Sequence, residues 1–340
     1  MREIVLINTT AQEHPGLESA LSQALGCAVQ LQSGQCGTAA TDIVTVMGRS
    51  VDDGALQRVV TLLAEHQLSL LSIEQLSRPG GEYTCHELSL SGELAEALKL
   101  RAQVLNLSAE LGLDIVHQPE SEHRRQPRLA VFDMDSTLIE AEVIDELAKA
   151  AGIGERVAAI TEQAMRGEID FRASFKARLA LLNGLDVGVL DDIGAQLRLT
   201  EGTERLFAEL NRMGVRTAIL SGGFTYFAKQ LQARLGIDHV FANELQVVDG
   251  KCTGVALEPI VDAQRKADLL QELASKQGLS LAQTVAVGDG ANDLAMLAIA
   301  GLGVAFRAKP LVRQSARQAI SVLGLDGVLY LLGQRDAEQP

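Results

Sequence analysis

Asp133 and Asp135 stand two positions apart, directly after the apolar run Leu129-Ala130-Val131-Phe132. Four apolar residues followed by polar ones predict a buried parallel strand that ends in a loop. In open α/β sheets, ligands bind at that end of the strands. Because two neighbouring carboxylates repel each other, we expect a cation between them, and Mg²⁺ suits carboxylate and phosphate oxygens. The structural alternative is that one Asp caps the next helix while the other lies in a turn.

Two further polar groups follow predicted strands. Ser221-Gly222-Gly223 follows the apolar run 217–220, and its hydroxyl and amides could bind phosphoryl oxygens, although a helix cap explains it as well. The motif Gly288-Asp289-Gly290-Ala291-Asn292-Asp293 follows the apolar run 284–287. Its glycines allow a ligand close to the backbone and leave the Asp289 carboxylate facing that ligand, which packing does not explain. Lys266 opens a predicted helix and is by itself a weak signal.

The order of these motifs resembles the haloacid dehalogenase-type phosphohydrolases, and the phosphoserine phosphatases closely among them. The resemblance covers about residues 128–335, and every key position is filled. It rests on Phe132-Asp133-Met134-Asp135-Ser136-Thr137, Ser221-Gly222-Gly223-Phe224, Lys266 and Gly288-Asp289-Gly290-Ala291-Asn292-Asp293. It implies a magnesium-dependent enzyme that hydrolyses phosphoserine to L-serine and phosphate, the last step of serine biosynthesis.

The resemblance also implies a role for each matching residue. Asp133 would be the nucleophile, and Asp135 would protonate the leaving hydroxyl and later activate water. Asp133, Asp289 and the backbone carbonyl of Asp135 would hold Mg²⁺. The residues expected to bind substrate are Glu142, Arg178, Ser221, Gly222, Lys266 and Asn292.

Substrate choice would depend on the region between the first two predicted strands. Glu142 complements the ammonium group of phosphoserine, and Arg178 can bind its carboxylate through two hydrogen bonds. Without the resemblance, both would be read as solvated helix charges. Met165 and Phe171 are expected to shield the pocket from water, although ordinary packing explains them nearly as well.

The predicted elements that position these residues form an α/β protein. After a polar linker at 119–127, strands alternate with helices, which predicts a Rossmann-like doubly wound parallel sheet over 128–335. Apolar residues at helical spacing over about 141–198 predict a helical cap inserted into the sheet domain. The pair Asp249-Gly250 predicts a hairpin insert over 240–260. Residues 42–118 predict a βαββαβ, ferredoxin-like unit that resembles an ACT regulatory domain. Residues 1–41 could be part of a second copy.

Composition limits the possible partners. A net charge of −14 argues against non-specific binding to nucleic acid or anionic membranes. No apolar stretch is long enough for a membrane helix, and the N-terminus lacks the apolar run of a signal peptide. Four scattered cysteines (Cys27, Cys36, Cys85, Cys252) predict reduced thiols and a cytoplasmic protein. The N-terminal module is expected to bind L-serine or another amino acid and to mediate a homodimer.

Two alternatives remain open at this stage. One is a related phosphatase for another small phosphomonoester, such as phosphohomoserine. The other is a non-catalytic amino-acid sensor with an inert phosphatase fold, against which the acid pair and Asp289 argue. A dinucleotide-binding enzyme is a weak third alternative, since no G-x-G-x-x-G follows the first strand of the predicted sheet.

Overall fold

The computed structural model describes residues 2–34, 37–166 and 168–336. The side chain of Met165 and the predicted thiol Cys36 lie outside the described part. The chain divides into two compact units. The first comprises the residues up to Gln126 and those from Gln318 onward, and the second comprises Pro127–Arg317.

The first unit is built on a mixed sheet whose strands lie in the order β2-β1-β4-β5-β3-β6. Its elements along the chain are β1 (Arg2–Ile7), α1 (Leu17–Leu25), β2 (Val29–Ser33), β3 (Asp42–Gly48), α2 (Asp53–Glu65), β4 (Ser69–Gln75), β5 (Thr84–Ser91), α3 (Ala97–Leu111) and β6 (Asp114–Pro119). From β3 onward this is the expected βαββαβ order. The ACT-like assignment and the domain boundaries stay predictions.

The second unit confirms the predicted parallel α/β sheet, with strands in the order β13-β12-β7-β8-β9. It opens with β7 (Leu129–Phe132), α4 (Val143–Ala150), α5 (Gly154–Met165), α6 (Phe171–Ala180), α7 (Gly188–Gln196), α8 (Thr203–Arg212), β8 (Arg216–Phe224), α9 (Thr225–Leu235) and β9 (His239–Asn243). It continues with β10 (Leu245–Val248), β11 (Lys251–Ala256), α10 (Ala263–Lys276), β12 (Thr284–Gly288), α11 (Leu294–Ile299), β13 (Leu302–Phe306) and α12 (Pro310–Ser315).

The central strand β7 is completely buried, as its uninterrupted apolar run predicts. Phe132 packs on Phe207 of α8, with ring centroids 4.9 Å apart. Helices α4 to α7 occupy the chain between β7 and β8, where the helical cap is expected. Among the described residues, no helix combines the length and apolar character that crossing a membrane requires.

The insert predicted over 240–260 is smaller than expected. Val240 to Asn243 belong to β9, which extends the parallel sheet beside β8. Only β10 and β11 form the antiparallel hairpin around Asp249-Gly250. Asp249 and Gly250 have positive φ values of 49° and 73°, as a tight primed turn requires.

The chain ends with β14 (Gln318–Ile320) and α13 (Gly327–Leu331), which group with the first unit. Asp114, at the start of β6, accepts hydrogen bonds from the backbone N–H groups of Ser321, Val322 and Leu323 at 2.7, 2.9 and 2.9 Å. In the predicted linker, buried Arg124 donates to both carboxylate oxygens of Glu87 at 2.9 and 3.0 Å. Described segments from the first and the last part of the sequence therefore contribute to the first unit.

Candidate active site

Asp133 leaves the end of β7 beside the end of β12. Its N–H donates to the carbonyl of Val287 at 2.9 Å, which extends the parallel ladder by one residue. Its Oδ1 accepts a hydrogen bond from the N–H of Met134 at 2.7 Å, and the residue is only 5% exposed. Because β7 and β12 are adjacent and parallel, their polar ends meet at one edge of the sheet, as expected.

Lys266 lies beside the carboxylate of Asp133 and is completely buried. Its Nζ is 2.8 Å from Oδ1 of Asp133 and 2.7 Å from Oδ1 of Asp293. Burial alone would lower the pKa of Lys266, but the charges of the two carboxylates raise it above its ordinary value. The helix α10, capped by the side chain of Asp262, thus places a permanent cation against the expected nucleophile.

Three carboxylates lie close together at this edge of the sheet, beyond the ends of β7 and β12. Asp133, Asp289 and Asp293 each offer an oxygen, and these oxygens lie within 4.8 Å of one another. Burial raises the pKa of Asp289 to about 7, together with the charges of Asp133 and Asp293. Thr137 donates a hydrogen bond to Oδ1 of Asp289 at 3.2 Å. Such a group of hard oxygen donors with mutual repulsion fits Mg²⁺.

Asp293 belongs to the motif Gly288–Asp293, but the sequence pattern predicted no role for it. Asp293 is completely buried, and its Oδ1 accepts from Lys266 while its Oδ2 accepts from the N–H of Gly290 at 2.9 Å. A side chain on Gly288 would clash with Asp293, since a Cβ there would lie 2.3 Å from its carboxyl carbon. The glycine at the end of β12 was the signal that a side chain packs closely against this backbone.

Asp135 faces the C-terminal end of β8. Its Oδ1 accepts from the N–H of Val143 at 3.1 Å, at the start of α4. A Cβ on Gly223 would lie 2.4 Å from its Oδ2, so only glycine leaves room for this carboxyl group. Burial raises the pKa of Asp135 well above its ordinary value, together with the nearby charges of Glu142 and Asp133. Asp135 is therefore suited to carry a proton.

The sequence predicts that Ser221, Gly222 and Gly223 follow the strand, but they lie within the end of β8, where its regular pairing with β9 is interrupted. We call this irregular segment the Ser221-Gly222-Gly223 loop. Ser221 is completely buried, and its Oγ accepts a hydrogen bond from the N–H of Gly223 at 2.9 Å. Phe171, the first residue of α6, approaches Gly222 so closely that a Cβ there would lie 3.1 Å from its ring. The aromatic ring of the cap thus covers the loop expected to bind phosphate.

Two charged residues from the cap lie near Asp135. Glu142 precedes α4 and accepts a hydrogen bond from Oγ of Ser136 at 2.8 Å. Arg178 lies on α6, and its buried Nε has no hydrogen-bond partner among the described residues. Burial lowers the pKa of Arg178, while nearby carboxylates, including Glu142 and Asp135, oppose that shift. The unpaired guanidinium nitrogen of Arg178 is suited to a carboxylate ligand.

The other residues predicted to line the site are Asn292, Met165 and Phe171. Asn292 lies in the short turn Ala291–Asp293, one residue before Asp293, and is partly buried. The side chain of Met165 lies outside the described residues. Phe171 stacks on Phe175 of the same helix, with centroids 6.3 Å apart.

The sequence profile of the haloacid dehalogenase-like hydrolases matches residues 130–298. The solved structure of a HAD-family hydrolase from Salmonella enterica serovar Typhi is 30% identical in sequence, with a TM-score of 0.76, and the match covers 85% of this chain and 98% of that one. The parallel sheet and the carboxylates at its edge are thus those of a haloacid dehalogenase-like hydrolase.

Two further relatives narrow the class. A phosphoserine phosphatase from Streptomyces coelicolor is 45% identical over 291 residues, which are 86% of this chain and 70% of the relative. The unliganded structure of a probable phosphoserine phosphatase from Vibrio cholerae is 36% identical, with a TM-score of 0.70 over 88% of this chain and 89% of that one. The chain belongs to the phosphoserine phosphatase family.

Proposed function

We propose that the protein hydrolyses O-phospho-L-serine to L-serine and phosphate, the last step of serine biosynthesis. The arrangement of Asp133 and Lys266 at the end of β7 carries this proposal. The buried ammonium group of Lys266 lies 2.8 Å from the Asp133 carboxylate and orients it, as a nucleophile requires. Glu142 and Arg178 add charges complementary to the two charged ends of an amino acid.

Asp133 and Asp135 divide the chemistry between them. An oxygen of Asp133 attacks phosphorus and forms an aspartyl-phosphate, while the bond from phosphorus to the serine oxygen breaks. Asp135 donates its proton to that departing oxygen and releases L-serine. In the second half, Asp135 takes a proton from water, whose oxygen attacks phosphorus and frees both phosphate and Asp133.

We propose a Mg²⁺ site formed by Asp133, Asp289 and the backbone carbonyl of Asp135. The carboxylate oxygens of Asp133 and Asp289 are close enough to bind the same metal ion. The repulsion between the two carboxylates favours a bound cation. When bound, Mg²⁺ would offset the repulsion between the phosphate and the attacking carboxylate. Both oxygens of Asp293 are already engaged, by Lys266 and Gly290, so its role is to hold Lys266.

In this proposal, residues at the edge of the sheet bind the phosphate end of the substrate, and residues of the cap bind its amino-acid end. Ser221, Gly222 and Lys266 hold the phosphoryl oxygens, and Asn292 contacts the same end of the substrate. Glu142 binds the ammonium group, and Arg178 binds the carboxylate. Phe171, and Met165 by the same expectation, exclude water from the closed pocket.

The test is a substrate panel of phosphoserine, phosphothreonine and phosphohomoserine, each with Mg²⁺ and with a chelator. We expect the highest kcat/KM for phosphoserine and loss of turnover in the chelator. A higher value for phosphohomoserine would transfer the assignment to that substrate. No turnover of any phosphomonoester in Mg²⁺ would favour the non-catalytic sensor.

We also propose that the first unit binds L-serine or another amino acid and mediates a homodimer. A cavity of about 990 Å³ in this unit is lined by residues that include Asn8, Glu74, Arg125 and Arg335. Glu74 and Arg335 form an ion pair there, which would have to open to accept the two charged groups of a zwitterion. Arg335→Ala should abolish inhibition by L-serine and leave the uninhibited rate unchanged, whereas the exposed Arg49→Ala should retain inhibition. Inhibition that survives Arg335→Ala would contradict this site, and a monomer mass by light scattering would contradict the dimer.

We further propose a cytoplasmic location. Cys27, Cys85 and Cys252 are free cysteines in the structure, and they lie far apart along the chain. Such scattered thiols are typical of a reducing compartment.

A further inference from the structure

The pairing of β8 with β9 is interrupted at the phosphate-binding loop. Leu220 lies opposite Phe241, and Phe224 lies opposite Asn243, with a register shift between the two pairs. β8 therefore contains more residues than β9 over this stretch, which takes the Ser221-Gly222-Gly223 loop out of the regular ladder. The backbone groups of the loop need other partners.

The side chain of Asn243 supplies one of these partners. Asn243 is the last residue of β9 and is only 2% exposed. Its Nδ2 donates to the carbonyl of Gly222 at 2.8 Å, and its Oδ1 accepts from the N–H of Val261 at 2.8 Å. These two partners determine which way the side-chain amide of Asn243 points, because the carbonyl of Gly222 can only accept a hydrogen bond and the N–H of Val261 can only donate one.

A single peptide group links the Asn243 hydrogen bond to Ser221, the residue expected to bind phosphate. The carbonyl of Gly222 and the N–H of Gly223 belong to the same planar peptide group. That N–H donates to Oγ of Ser221 at 2.9 Å. Asn243 thus fixes the plane that orients the Ser221 hydroxyl.

The second bond of Asn243 reaches the helix that carries Lys266. Val261 directly precedes Asp262, whose side chain caps α10 by accepting from the N–H of Arg265 at 2.9 Å. One buried amide group therefore connects the loop that holds Ser221 with the start of the helix that holds Lys266.

We infer that Asn243 is a positioning residue for phosphoryl transfer, acting through the peptide between Gly222 and Gly223 on the Ser221 hydroxyl. This inference rests on the proposed function of Ser221 as a phosphate ligand. Because positioning errors of about 1 Å can cost a factor of about 100 in rate, losing this bond should be visible in kinetics.

The test compares Asn243→Asp with Asn243→Ala. The Asp variant is isosteric and keeps the acceptor for Val261 but places a carboxylate oxygen against the Gly222 carbonyl. We expect kcat/KM for phosphoserine to fall by about 10- to 100-fold and the inhibition constant of inorganic phosphate to rise about tenfold. Asn243→Ala, which removes both bonds without adding charge, should show at least the same losses and decides the test if the Asp variant fails to fold.

The matched control is Asn211→Asp. Asn211 also donates its side-chain amide to a backbone carbonyl, that of Leu235 at 3.1 Å, but on α8 and away from the site. It should keep wild-type kinetics. In a Ser221→Ala background, Asn243→Asp should add less than about twofold, because both changes act on one hydroxyl.

Two results would overturn the inference: kinetics and phosphate inhibition within twofold of wild type in both Asn243 variants, or losses that simply multiply with those of Ser221→Ala. Wild-type protein without phosphoserine turnover would instead contradict the proposed function. Direct phosphate binding by calorimetry would still decide the role of Asn243 in that case.

Discussion

The ammonium group of Lys266 lies 2.8 Å from Oδ1 of Asp133, and both side chains are buried at the edge of the sheet. A buried charge is tolerated only when it is paired, and the Asp133 carboxylate raises the pKa of the buried Lys266 ammonium group. The second partner of Lys266, Asp293, is also completely buried. The stability of this part of the fold and the proposed nucleophilic role of Asp133 therefore depend on the same lysine.

Replacing Lys266 tests that dependence. Lys266→Met should lower the free energy of unfolding by about 3–5 kcal/mol, because it leaves two buried carboxylates without their cation. Denaturant unfolding in a chelator measures the loss. Lys276→Met, at the exposed end of the same helix, is the control and should stay close to wild type. Adding Asp293→Asn to Lys266→Met should recover part of the loss, and no recovery would contradict the proposed charge pairing.

Arg178→Ala tests the expected carboxylate contact. The variant should raise KM for phosphoserine at least tenfold, since a charge-assisted hydrogen bond contributes about 1.5–3 kcal/mol. Hydrolysis of an aryl phosphate, which has no carboxylate, should change little. Arg234→Ala, which removes an exposed pair with Glu204, provides the comparison. Equal losses for both substrates would argue that Arg178 has a structural role only.

Arg172 joins the cap helix α6 to the chain before α10. It donates to Asp262 at 2.8 Å and to Glu258 at 2.6 Å, and Asp262 is the cap of the helix that carries Lys266. Arg172→Ala should raise KM for phosphoserine by about two- to fivefold, as expected for a partly exposed ion pair. High salt should reduce the difference from wild type. Arg212→Ala, which breaks an exposed pair with Glu209, should have no such effect, and identical KM values for the two variants would refute a link to the cap.

The raised pKa of Asp289 predicts how the free energy of unfolding depends on pH when the metal is removed. Its pKa is raised from an ordinary 3.8 to about 7, so the folded state holds a proton that the unfolded state has lost. Stability in a chelator should therefore fall as pH rises from about 4 to about 7. Asp289→Asn should flatten this part of the curve. Adding Mg²⁺ should stabilise wild type most at the upper end, because it binds the ionised carboxylates. A wild-type curve as flat as that of the variant would contradict the raised pKa.

The sequence predicted the elements in which local pattern and burial agree. The apolar run 129–132 is a buried strand, and the polar clusters around Asp133 and Asp289 meet at the ends of adjacent strands. Parallel pairing brings such ends together whatever lies between them in the chain, so these residues could be located without knowing the cap.

Features that depend on register or on distant chain segments could not be predicted in the same way. Asn243 acts through a side-chain bond that arises only from the offset between β8 and β9, and the residue itself resembles any strand-end asparagine. The grouping of residues after Gln318 with the first unit depends on Asp114, more than 200 positions earlier. Asp293 required the position of Lys266, which no local pattern gives.

The central claim is that Asp133 forms the covalent intermediate. The most direct measurement is rapid acid quenching of the protein with radiolabelled phosphoserine and Mg²⁺, followed by peptide mapping of the labelled residue. We predict label on Asp133 during turnover and none in Asp133→Asn, while Asp249→Asn, in an exposed turn, labels normally. Label on another residue, or turnover by Asp133→Asn near the wild-type rate, would contradict the account.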